Sequence, residues 1–125
     1  MNEHVYMFPL PPDELRSNRR MGGHWGSTNK VKQDYKLGCT LLLRQDDYRY
    51  ALRPPYHVHV TVYLGARQRC DPSDAGTWAK VPIDVMVTEG ILANDSDHYI
   101  RLFSAQVDRD RDNPRLVITV KEVEP

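Results

Sequence analysis

His57-Val58-His59-Val60-Thr61-Val62-Tyr63-Leu64 alternates without a break, with Val58, Val60, Val62 and Leu64 on one side of an extended chain and His57, His59, Thr61 and Tyr63 on the other. A period of two, rich in β-branched and aromatic residues, specifies a half-buried strand. The chain then runs through Arg69-Cys70-Asp71-Pro72-Ser73-Asp74 into a segment where Val81, Val85 and Met86 recur at helical spacing and Gly90 ends the pattern. Pro82 has no N–H to give a helix interior, so the helix is read as starting around Ala79, with Pro82 in its first turn. Upstream, His4 to Phe8 reads as a short strand stopped by Pro9, Pro11 and Pro12, and Arg16 to Ser27 as a polar loop containing Gly22, Gly23 and Gly26. A helix capped by Ser27 or Thr28 follows, with Val31, Tyr35, Gly38 and Leu42 as its buried stripe. Downstream, Tyr99 to Val107 and Arg115 to Lys121 read as strands joined by the charged loop Asp108 to Pro114. Strand, helix, strand, helix, strand, strand implies an α+β fold, a mixed β-sheet with two main helices packed on it.

A chain of 125 residues supports one domain, residues 1–125, with a real core. No apolar run approaches the roughly eighteen residues of a membrane span, and Met1-Asn2-Glu3-His4 lacks the basic start of a secretory signal, so a cytoplasmic protein is expected. Cys39 and Cys70 lie in no Cys-x-x-Cys or disulfide framework and are expected as thiols. The formal net charge is zero but segregated. Met1 to Arg69 holds 11 Lys and Arg against 6 Asp and Glu, and Cys70 to Pro125 holds 6 against 11. Arg16, Arg19, Arg20, Lys30, Lys32 and Lys36 face only Asp34 in the densest basic stretch. Such a division suits a basic surface for phosphates beside an acidic pocket, or else a solvated face.

The acids that matter surround the second helix. Asp71 and Asp74 precede it, Lys80 and Asp84 lie four apart on one face of it, and Asn94-Asp95 follows it. Carboxylates brought together repel and lose solvation unless a cation joins them, so the grouping points to a divalent metal, with a polar turn and a solvated helix face as the plainer alternative. Oxygen ligands suit Mg²⁺, with Mn²⁺ as a substitute.

At these residues the sequence resembles the RusA family of Holliday junction resolvases, small phage and bacterial endonucleases. The family pattern reads Asp-x-Asp-Asn, a lysine, an aspartate four residues on, a glycine and an Asp-Asp pair. Here it is Asp71-Pro72-Ser73-Asp74, Lys80, Asp84, Gly90 and Asn94-Asp95, within a resemblance spanning roughly Phe8 to Val120. Ser73 stands at the family's second acid and Asn94 at the first acid of its Asp-Asp pair, and about three extra residues precede Lys80.

The resemblance implies a Mg²⁺-dependent endonuclease that resolves four-way junctions or other branched DNA. Asp71 and Asp95 become the principal metal ligands, Asp74 a substitute third, and Lys80 the group that neutralises the scissile phosphate or orients water. Asp84 is a further ligand or a partner of Lys80, and Asn94 is a candidate supporting residue. Asn18, Arg19, Arg20, His24 and Trp25 are similar to the segment that family members place near DNA, with Lys30, Lys32 and Arg69 extending the phosphate track. Trp25 stacks on an unpaired base or pins the loop to the core. Two symmetric cuts call for a homodimer. A branched-DNA-binding relative with weak or no cleavage, and a non-enzymatic interaction protein, remain alternatives. His57 and His59 have zinc-like spacing but no evident third ligand. The Asp108 to Asp112 loop lacks the glycine and glutamate of a calcium loop and reads as a hairpin turn.

Overall fold

The structure, a computed structural model, describes residues 3–16, 25–45 and 51–125, the side chains of residues 25–28 excepted. Strand β1 spans Glu3–Phe8, helix α1 Trp25–Gln45, β2 Tyr56–Leu64, α2 Ala75–Thr88, β3 Ile100–Arg109 and β4 Arg115–Glu122. The four strands form one sheet in the order β1-β4-β2-β3. Strand β4 runs antiparallel to both β1 and β2, whereas β2 and β3 are parallel and α2 is the crossover between them. The fold is therefore α+β, a mixed sheet with two helices packed against it, as the order of elements implies.

The alternation of β2 sets the core. Val58, Val60 and Val62 pair across the sheet with Val120, Ile118 and Leu116, and all six are buried. Tyr6 and Phe8 of β1 extend the rows beyond Ile118 and Leu116. Each such side chain contributes about 1.5–3 kcal/mol by leaving water. The opposite face carries Val5, Thr119, His59 and Ser104 in one row. There Nδ1 of His59 lies 2.6 Å from the Ser104 hydroxyl and Nε2 lies 3.1 Å from Oε1 of Gln106, a cross-strand polar cluster.

Four expectations are corrected. Helix α1 begins at Trp25, so Ser27 and Thr28 lie inside it and do not cap it. Strand β2 stands between β3 and β4 in the sheet, so the connection over residues 110–114 crosses an intervening strand and is not a hairpin turn. The buried stripe of α1 is Tyr35, Cys39 and Leu43, with Val31, Gly38 and Leu42 only half-buried and Leu37 and Leu41 exposed. Three consecutive leucines at 41–43 allow the stripe to rotate by one position, and burial in the common core selects Leu43. Helix α2 starts at Ala75 instead of Ala79, so Pro82 lies inside it. Pro82 offers no N–H to the carbonyl of Trp78, a defect worth about 3 kcal/mol in a helix interior. Burial of Ala75 and Trp78 in the added first turn offsets that cost. Gly90 does close the helical segment, in the left-handed region at φ 81° where a Cβ is strained. Both thiols are free, Cys39 buried and Cys70 half-buried. Among the described residues, no helix is long and apolar enough to cross a membrane.

Candidate functional site

The two connections flanking α2 carry the acids singled out in the sequence. On the first, Asp71 has extended backbone and its carbonyl accepts the Asp74 N–H at 2.8 Å, closing the single 3-10 turn Pro72–Asp74 that runs directly into α2. Pro72 suits the opening of that turn because its N–H is dispensable there. Neither Asp71 nor Asp74 spends its carboxylate on a helix cap, and both are exposed. With Arg16, Arg69, Cys70 and Trp78 they line one hollow. The Cys70 thiol reports the local field: its pKa is pushed up to about 11, first by burial, then by negative Asp74 and Asp71, with Arg16 opposing.

Arg16 locks this corner to the rest of the fold. Its Nε donates to the Pro11 carbonyl at 2.7 Å, its guanidinium meets Asp13 at 2.6 Å, and it lies 4.9 Å from the ring centre of Trp78. The indole N–H of Trp78 in turn donates to the Arg16 carbonyl at 3.1 Å. Arg16 is thus tied to the first turn of α2, directly beside Asp71 and Asp74. Of that segment, Asn18, Arg19, Arg20 and His24 fall outside the described residues. Trp25 opens α1, and Lys30 and Lys32 lie on its early turns, exposed and half-buried respectively.

On the second connection, the Asn94 side-chain oxygen accepts the N–H of Asp95 at 2.7 Å and of Ser96 at 3.2 Å. This local turn is the work of a short side-chain acceptor, a role open to Asn or Asp, and it bends the chain just before Asp95. Asp95 then shares a hollow of about 440 Å³ with Lys80 and Thr77, walled by Ile83, Ile100 and Phe103. Lys80 is exposed and, among the described residues, forms no salt bridge with Asp84 or any other carboxylate. Asp84, one turn further along α2, is half-buried.

The structure therefore brings Lys80 together with Asp95, and Asp71 together with Asp74 and Arg69, as two hollows on the same helix. Among the described residues, no three His, Cys, Asp or Glu side chains are grouped to hold a metal, whether the acids or the His57 and His59 pair. The donors nonetheless fit Mg²⁺ in kind. Mg²⁺ accepts one or two carboxylates and completes its shell with water and substrate phosphate, and Asp71 and Asp74 are two exposed carboxylates lining one hollow. Arg16, Trp78, Thr77 and Phe103 join these hollows without having been singled out by sequence pattern. Strand periodicity exposes no difference between Phe103 and an ordinary core residue, and Arg16 gave only a charge. No protein-family model matches this chain, and no curated protein matches it.

Proposed function

We propose that the chain is a Mg²⁺-dependent endodeoxyribonuclease that cuts branched DNA, four-way junctions foremost. The observation that carries the reading is the meeting of Lys80 and Asp95, distant in sequence, on the walls of one hollow with no ion pair to the lysine among the described residues. An ordinary surface lysine on this fold needs no such placement, whereas an ammonium beside a carboxylate, with Arg16 anchored on the same helix, suits a phosphodiester. Asp71 and Asp74 are the residues that would hold the metal, with Asp95 facing the same substrate from the second hollow. When bound, Mg²⁺ supplies charge relief at the phosphorus oxygens and lowers the pKa of water.

The chain's own residues then divide the work. Lys80 places a compact positive charge against the scissile phosphate, and that charge counts for more as negative charge grows in the transition state. Asp95 accepts a hydrogen bond from the attacking water and orients it. Arg69, Lys30, Lys32, Arg19 and Arg20 hold flanking phosphates, and Arg16 fixes where the basic segment starts. Two symmetric cuts across a junction call for a homodimer.

A second reading, a branched-DNA-binding relative with weak or no cleavage, is favoured by the distribution of the acids into two hollows and by Ser73 on the exposed turn. Incubation of purified protein with labelled four-way junctions, flaps and linear duplex, in Mg²⁺, Mn²⁺ or EDTA, separates the two. The nuclease reading expects metal-dependent nicks near the branch point and little cutting of linear duplex. Tight junction binding with no product in either metal supports the second reading, and absence of both binding and product removes both.

A further inference from the structure

We infer that Phe103 is a stacking platform for a single unpaired nucleobase, next to Lys80, so that the hollow between α2 and β3 takes one whole nucleotide. This inference deepens the nuclease reading and rests on it for the choice of DNA as the source of that nucleotide.

Phe103 pairs with Val58 and so points to the same face of the sheet as the core valines. Along that face of β3, Ala105 and Val107 pack against the core while the larger ring of Phe103 remains 43% exposed. Simple burial favours the reverse order, since the ring has the most apolar surface to remove from water. Strand β3 is a sheet edge, which leaves the ring without a further strand beside it. Its inner rim is held against the first turn of α2, where a Cβ on Gly76 would lie 3.6 Å from the ring. That distance is ordinary van der Waals contact, so ring and helix meet closely on one side while the outer part of the ring stays open.

The remaining lining matches the other parts of a nucleotide. Ile83 and Ile100 continue the apolar wall, Lys80 offers a positive charge with no partner among the described residues, and Thr77 and Asp95 offer hydrogen-bonding groups. At about 440 Å³ the hollow falls in the usual range for small-ligand sites. A base on the apolar wall and its phosphate on Lys80 satisfies both chemistries at once, and a branch point is where DNA presents an unstacked base.

The test uses the full chain and deoxyadenosine 5′-monophosphate, followed by NMR, with deoxyribose 5-phosphate as the probe that lacks a base. The nucleotide should bind at least about tenfold more tightly than the sugar phosphate and shift the Phe103 ring protons. Phe103→Leu keeps an apolar side chain but no aromatic face and should remove most of that preference, Phe103→Tyr should retain it, and Lys80→Ala should weaken both probes. Equal affinity for the two probes, or a Phe103→Leu variant that keeps the preference, overturns the inference. So does sedimentation showing that the ring is covered by a second copy, with Phe103→Leu converting dimer to monomer. Stacking of the nucleotide by a protein that nicks no DNA leaves the platform standing and removes the nuclease reading instead.

Discussion

Replacement of Lys80 by alanine isolates the chemical step. The side chain is exposed, makes no salt bridge among the described residues, and sits mid-helix in α2. Alanine has the higher helix propensity, so unfolding free energy should stay within about 0.5 kcal/mol of wild type. Any loss of cleavage therefore belongs to the reaction. Removing one preorganised charge from a developing oxyanion costs about 2.7–4 kcal/mol, or roughly 10²–10³ in rate. Junction affinity should fall far less, because the proposed function makes Lys80 one of several phosphate contacts whose charge acts mainly on the transition state. Single-turnover cleavage with enzyme in excess measures the step, and a gel-shift titration in Ca²⁺ measures binding. Lys80→Arg should recover little activity, since a planar guanidinium does not reproduce a compact ammonium. Equal proportional losses of binding and cleavage in Lys80→Ala would refute the reasoning and make Lys80 a docking contact.

Two other perturbations test the corner that holds Asp71 and Asp74. Trp78→Phe deletes the indole donor to the Arg16 carbonyl and part of a buried ring, so the urea unfolding free energy should drop by about 1–3 kcal/mol and trypsin should cut faster after Arg16. An unchanged midpoint and cutting rate would show that Arg16 is held by its other contacts alone. With its pKa pushed up to about 11, the Cys70 thiol at pH 8 should alkylate roughly a hundredfold more slowly than free cysteine and gain rate as pH rises toward that value. Asp71→Asn and Asp74→Asn remove the negative neighbours that raise the pKa, so each should speed alkylation at pH 8, as followed by peptide mass spectrometry. No acceleration in either variant would mean that burial alone controls the thiol.

The parts of the fold that were legible are those where periodicity and burial agree. Strand β2 declares itself because every second residue from Val58 to Leu64 is apolar, and the mixed sheet follows from the element order around it. The start of α2 was not legible, because Pro82 argues locally for a late start and only packing of Ala75 and Trp78 reverses that preference. The site inherits the same division. The interval between Lys80 and Asp95 carried over into a shared hollow, since α2 and the turn at Gly90 set the span between them. The partition of Asp71 and Asp74 into a second hollow depended on the early helix start and on Arg16, a contact across 62 positions that no local pattern records. Phe103 was invisible for a topological reason. Its exposure follows from β3 lying at the edge of the sheet, and strand order is not a property of any single segment.

The central claim, that carboxylates at both ends of the site support metal-dependent cleavage, is tested most directly by comparing wild type, Asp71→Asn and Asp95→Asn on a four-way junction across a Mg²⁺ titration. Each substitution keeps the side-chain volume at an exposed position and removes one charged oxygen, so folding and junction binding should persist while the cleavage rate falls by about two orders of magnitude or more. Near wild-type, Mg²⁺-dependent cleavage by both variants, or wild-type cleavage that survives EDTA, would contradict the claim.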